Sequence, residues 1–242
     1  MMFKPKFFGR RQGRTIHKTK NFLLEVFLPR IKISGGHPVD VINIFNEPKQ
    51  RYCLEIGFGD GEHLAALAKE NPQTGFMGIE VYKNGVANLL NILTGIRDSD
   101  ECPADGTVVL ADGRVDNIRV FDDDARLLFE ALPDAVFDKI YLLFPDPWPK
   151  KKHAARRFVN PDNLDQLSRL LKKGGILQIA TDHHVYKRWV LEQMRARADF
   201  VWTAQTSDDW RNPPADWHET KYQRKAIREG RKPVFFEYIK RV

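Results

Sequence analysis

Long apolar runs are missing from this chain. No stretch approaches the ~20 apolar residues that a membrane-spanning helix needs, which excludes a helical membrane protein. The start, Met1 to Lys20, is basic and polar, without the apolar core of a secretory signal. Cysteine is scarce: Cys53 and Cys102 are the only two, which rules out a disulfide framework and shows no metal-binding spacing. Both read as packing or surface residues of a reduced, cytoplasmic protein. The seven histidines stand in no convincing set with Cys or Asp, so no metal is expected. Neither an internal repeat nor a low-complexity tract interrupts the 242 residues. That length, with 42% hydrophobic residues, suffices for one large α/β domain with appended arms.

Charge is present in excess and unevenly placed. The net charge is +7. Residues 1–33 hold nine Lys/Arg against Glu25 alone, a charge of +8, and residues 220–242 hold eight against Glu229 and Glu237, a charge of +6. The body between them is therefore left at −7. An acidic body with two basic ends suits a polyanion, because each phosphate neutralised releases counterions; a solvated basic tail is the plainer reading of either end. Residues 1–33 are expected to be a basic N-terminal arm, partly flexible, and residues 34–242 the main domain. Met1 to about Lys20 has little periodicity and reads as disordered or adaptable. Phe22 to Leu28 has the spacing of a short amphipathic helix, stopped by Pro29.

From Arg51 onward strands and helices alternate. Apolar runs at Arg51–Ile56, Gly75–Val81, Thr107–Ala111, Phe137–Phe144, Ile176–Thr181, Phe200–Ala204 and Val234–Ile239 read as strands. Helical spacing fills Glu62–Glu70, Asn84–Ile96, Asn163–Leu171 and Val185–Ala198, with Lys173-Gly174-Gly175 as a helix stop. The pattern predicts an α/β fold: a Rossmann-like, doubly wound mixed sheet of about seven strands with helices on both faces. Ligands of such sheets lie beyond the carboxyl ends of the strands.

Chemistry-bearing residues follow the strands. The first strand ends in Glu55-Ile56-Gly57-Phe58-Gly59-Asp60-Gly61-Glu62. Gly57, Gly59 and Gly61 permit a tight turn and close ligand approach to backbone. The dinucleotide fingerprint runs Gly-x-Gly-x-x-Gly instead and cradles a pyrophosphate; here its third glycine is replaced by Glu62, which would repel one. Glu55 suits a cationic ligand, and S-adenosylmethionine carries a sulfonium and an ammonium group. Glu80, closing the second strand, can accept both ribose hydroxyls. Asp112, after the third expected strand, stands where a side chain could meet an adenine amino group. Each acid alone also reads as a helix cap or loop residue; together they read as a nucleoside site. His63, His153, His183 and His184 carry less information, and Trp202, Trp210 and Trp217 suit base stacking or plain packing equally.

The fourth strand runs into Phe144-Pro145-Asp146-Pro147-Trp148-Pro149-Lys150-Lys151-Lys152-His153. Three prolines stiffen this loop, since each fixes φ. A stiff loop can hold a carboxylate and an indole where a flat base would sit, and Lys150–Lys152, Arg156 and Arg157 follow at once.

With these residues the chain resembles the bacterial tRNA (guanine-N7)-methyltransferase family. The resemblance covers roughly residues 30–240. It is carried by Glu55–Gly61, Gly78-Ile79-Glu80, Phe144–Lys150, Arg156-Arg157, Ala180-Thr181-Asp182 and Thr220-Lys221-Tyr222. The Asn/Asp-Pro-Pro-Tyr motif of enzymes that methylate exocyclic nitrogens is absent. The resemblance implies S-adenosyl-L-methionine as cofactor and guanine 46 of the tRNA variable loop as target. It implies Glu55, Glu80, Asp112 and Asp146, with the loop glycines, at the cofactor. Asp146 falls on the catalytic position, and Lys150, Asp182 and Thr220 to Gln223 fall on the substrate. One position departs: the family pattern Thr-Lys/Arg-Phe/Tyr-Glu ends here in Gln223, which lacks the charge. Cofactor and substrate motifs share one chain, so the expectation is a cytoplasmic monomer or homodimer with tRNA as partner, no obligatory protein partner and no membrane. Rival readings are a methyltransferase of another RNA or a protein, and a non-catalytic RNA-binding module. A nicotinamide oxidoreductase is disfavoured by the glycine spacing.

Overall fold

A computed structural model describes residues 5–241. Lys4 of the basic arm lies outside the described residues. The chain folds as an α/β protein, and among the described residues seven strands form a mixed sheet. It divides into two compact units between Leu132 and Pro133.

The first unit begins with α1 (Lys18–Val26) and α2 (Leu28–Ile31). Then β1 (Arg51–Ile56), α3 (Glu62–Glu70), β2 (Thr74–Ile79), α4 (Lys83–Thr94) and β3 (Ile118–Phe121) alternate. Its strands lie in the order β3-β2-β1. All are parallel, with Leu54 opposite Met77 and Phe76 opposite Ile118. Parallel strands are covered on both faces, which is why Tyr52 to Ile56 and Gly75 to Ile79 are buried without alternation. The apolar face of α1, with Leu23, and Phe27 just beyond it are fully buried. α4 ends at Gly95 in the left-handed conformation (φ 73°) that closes helices.

The second unit holds β4 (Phe137–Leu143), α5 (Pro161–Leu170), β5 (Leu171–Thr181), α6 (His184–Arg195), β6 (Phe200–Trp202), α7 (Asp208–Arg211), α8 (Lys221–Arg228) and β7 (Val234–Lys240). Its order is β4-β5-β7-β6. β4 and β5 are parallel; β7 lies antiparallel to both β5 and β6. α5 starts where Asn160 caps the amide of Asn163 and Pro161 takes the first helical position, where no amide partner is needed.

Three expectations are corrected. The third strand is Ile118–Phe121, and Thr107–Ala111 is irregular. Val108 of that segment is buried but Val109 is 66% exposed, and no strand pairs with either. Lys173-Gly174-Gly175 lies inside β5, where the register slips between Phe137 and Lys139, and Gly174 adopts φ 77°. It is an irregularity within the strand rather than a helix stop. Pro29 ends no helix by itself: it sits in the first turn of α2, where its missing N–H costs nothing.

Candidate cofactor and substrate sites

In the first unit, β1 delivers the chain into the glycine loop. Gly57, Gly59 and Gly61 have φ of 74°, 59° and 79°, the left-handed region that side chains disfavour. A Cβ on Gly61 would stand 2.7 Å from that of Leu89, so this glycine lets α3 and α4 close together. Among the described residues, nothing lies within 4 Å of a Cβ added to Gly57; the backbone there is open to a ligand.

Glu80 organises this loop from the end of β2. One oxygen accepts the amide of Gly59 at 2.7 Å and the other that of Tyr82 at 2.8 Å. Burial pushes its pKa above the ordinary carboxylate range, with the two amides opposing the shift. A carboxylate offers about four lone-pair sites, so two acceptors remain for hydroxyl donors. Asp60 accepts from Asn88 at 2.9 Å, tying the loop to α4.

Glu55 is 2% exposed, under the loop rather than on its surface. Its carboxylate accepts from His63 Nδ1 at 3.0 Å, and His63 is also 2% exposed. Asp112 is exposed in a turn and follows no strand. The acids after β3 are Asp122, Asp123 and Asp124, paired with Lys32, Arg11 and Arg126. Asp124 is 4% exposed and caps a 3-10 turn.

The N-terminal segment reaches the same strand ends. Lys83, the first residue of α4, donates its amide to the Arg11 carbonyl at 2.9 Å. Asn84 accepts from the Gly13 amide and donates to the Arg14 carbonyl, each at 2.9 Å. The segment before α1 is thus held beside Glu80 and Asp123.

In the second unit, β4 ends at Leu143 and the proline loop begins. Phe144 and Trp148 adopt φ of 51° and 40°, strained for side-chain-bearing residues. Asp146, between them, is exposed, yet its recess removes enough water to raise its pKa above the usual carboxylate range. Arg157 braces the loop from behind. It is 5% exposed, donates Nε to the Pro147 carbonyl at 3.1 Å and Nη2 to the Trp148 carbonyl at 3.0 Å, and lies 4.6 Å from the Trp189 ring. Arg156 lies 5.0 Å from the Trp148 ring. Lys150, Lys151 and Lys152 are exposed.

Asp182, after β5, pairs with Arg231 Nε at 2.6 Å. Thr220 caps α8 by accepting the Gln223 amide at 3.1 Å. Lys221 and Tyr222 are exposed, Gln223 is 8% exposed, and Gln223 Oε1 accepts from Trp217 Nε1 at 2.5 Å.

Comparison with known proteins decides the family. A family model described as "Putative methyltransferase" matches residues 49–236. A tRNA (guanine-N(7)-)-methyltransferase of Rhodospirillum rubrum is 40% identical over 241 residues, covering 98% of this chain and 88% of that one. Another, of Rhizobium meliloti, is 42% identical over 234 residues, with 96% and 94% covered. The chain belongs to the tRNA (guanine-N7)-methyltransferase family. A crystal structure of the antibiotic-resistance methyltransferase Kmr shares 19% identity at a TM-score of 0.50, over 80% of this chain and 88% of that one; this likeness is one of fold alone.

Within this family member, the sequence does not reveal His63 as the partner of Glu55 or Trp217 as the partner of Gln223, nor Asp122–Asp124 as the acids that follow β3. It read Arg157 as part of a basic run facing a nucleotide, whereas Arg157 is an internal brace. A signal existed for Arg157: it precedes an apolar pair, Phe158-Val159, where a solvated cation is out of place.

Proposed function

We propose that this protein transfers a methyl group from S-adenosyl-L-methionine to N7 of guanine in tRNA, at guanine 46 of the variable loop. The observation that carries the donor is the open backbone above Gly57 beside the half-buried Glu80 carboxylate. That pairing fits a nucleoside with a cationic side arm and offers no cradle for a pyrophosphate. The bound cofactor supplies a methyl group already activated on a sulfonium. Glu80 accepts the ribose hydroxyls with its remaining lone pairs. Glu55, held by His63, places negative charge beneath the loop. The acid meeting the adenine edge belongs to Asp122–Asp124 rather than Asp112, because those residues follow β3.

The residues of the second unit present the base. Guanine N7 carries a lone pair and no proton, so no general base is needed; positioning and field account for the acceleration. Asp146 orients the base and stabilises the positive charge the purine acquires. Lys150, Asp182 and residues 220–223 contact the tRNA, and the basic residues of the arm, 1–33, take its phosphates. The test is transfer of labelled methyl from S-adenosylmethionine to bulk tRNA, with the nucleosides then separated. Label in N7-methylguanosine is the expected result. Label in another nucleoside points to a different RNA methyltransferase, and no label to a binding module.

A further inference from the structure

The Trp217–Gln223 pair carries a consequence for base selection. Trp217 is half-buried, with its ring edge-to-face on Phe235 at 4.7 Å and on Phe144 at 6.5 Å. Phe144 opens the proline loop, so one indole joins that loop, β7 and the first turn of α8. Its Nε1 lies 2.5 Å from Gln223 Oε1. An indole nitrogen is a donor only, whereas a carboxamide has one accepting and one donating end. A turned amide would set N–H against N–H at hydrogen-bond distance. The orientation of Gln223 is therefore fixed by chemistry: its oxygen belongs to Trp217, and the end directed elsewhere is the NH2 group.

We infer that Trp217 is a positioning residue for substrate selection, holding Gln223 so that it offers the base a donor and reads guanine O6. The inference rests on the reading of residues 220–223 as base contacts. A glutamate here would accept the indole N–H equally well and present its second oxygen, an acceptor suited to the N1–H and N2 amine of guanine. Gln223 inverts that polarity. Guanine O6 lies beside N7, so a donor to O6 leaves the N7 lone pair available. Adenine carries an amine donor at the O6 position and is repelled. Inosine keeps O6 and lacks only the N2 amine, which Gln223 does not read.

The experiment compares kcat/KM for tRNA carrying guanine or inosine at the methylated position. Wild-type enzyme is expected to use inosine within about threefold of guanine. Gln223→Glu is expected to raise the guanine-over-inosine ratio about tenfold, equivalent to about 1.4 kcal/mol. Trp217→Phe keeps the ring packing, frees the amide to turn and moves the ratio in the same direction; a merely structural role would lower both rates together and leave the ratio unchanged. A wild-type preference for guanine of tenfold or more, or a ratio unmoved by Gln223→Glu, overturns the inference. If wild-type enzyme leaves the guanine transcript unmethylated, the functional reading itself fails, and the inference with it.

Discussion

Replacing Arg157 by alanine tests how the proline loop is held. Two charge-assisted hydrogen bonds to the Pro147 and Trp148 carbonyls contribute about 1.5–3 kcal/mol each. The guanidinium over Trp189 adds about 1–2 kcal/mol in a desolvated place. Against this stand the positive φ angles of Phe144 and Trp148, at about 1–3 kcal/mol each. Brace and strain are of similar size, so the loop keeps its shape only while braced. In Arg157→Ala the strain is released as the bonds are lost. The net loss of stability is then about 2 kcal/mol, or a fall in Tm of about 4–8 °C at this chain length. The loop carrying Asp146 relaxes, and a displacement near 1 Å costs about 100-fold in kcat. Steady-state kinetics with tRNA should show that fall, with a smaller change in KM for S-adenosylmethionine, since of the proposed cofactor residues only Asp146 rides on this loop while Glu55, Glu80 and the glycine loop lie in the first unit. Arg157→Lys keeps the charge without the fork and should fall between. Arg157→Ala with kcat within threefold of wild type would refute the bracing argument.

Three further outcomes follow from the geometry. His63→Leu strands the buried Glu55 carboxylate and should destabilise the fold by about 3–5 kcal/mol in urea titration, whereas His63→Gln, which keeps a donor, should recover part of it; a loss below 1 kcal/mol in the leucine variant contradicts the pair's role. Partial desolvation raises the pKa of Asp146 although the residue is exposed, so activity that needs the ionised form is present above that raised value and lost as pH falls through it. The acid limb of kcat should sit above the range of a solvated aspartate and vanish in Asp146→Asn, whose kcat should be at least tenfold lower; an unchanged limb in that variant assigns it to another group. By linkage, the folded state holds this proton more tightly than the unfolded one, so Asp146→Asn should not lower Tm at neutral pH. Arg10→Gln with Arg14→Gln should weaken tRNA binding and flatten its salt dependence by a slope of about two; an identical slope would remove these residues from the interface.

Much of the fold was legible because buried parallel strands and strand-end glycines are local signals. β1 and α3 have the bounds that the sequence predicts, and Glu80 follows directly on its strand. β3 was missed because it contains Arg119, an unlikely residue for a buried strand. Arg119 is 6% exposed and satisfied by Asp116 and the Ile44 carbonyl, partners outside the strand. Thr107–Ala111 looked more strand-like and drew Asp112 into the site with it. Residue types at the site were legible; their partners were not. Glu55 was read as facing a ligand because its spacing from Gly57 was visible, while its bond to His63 forms only when α3 folds back over β1. Gln223 showed its missing charge in the sequence, and only the fold shows that Trp217 holds its oxygen.

The central claim is methyl transfer to N7 of one guanine, and nucleoside mapping tests it most directly. Two matched tRNA transcripts, one with guanine and one with adenine at position 46, are incubated with enzyme and S-adenosylmethionine, then cleaved chemically at N7-methylguanine. The account predicts cleavage at position 46 of the first transcript and none in the second. Equal methylation of both, or methyl groups on any atom other than guanine N7, would contradict it.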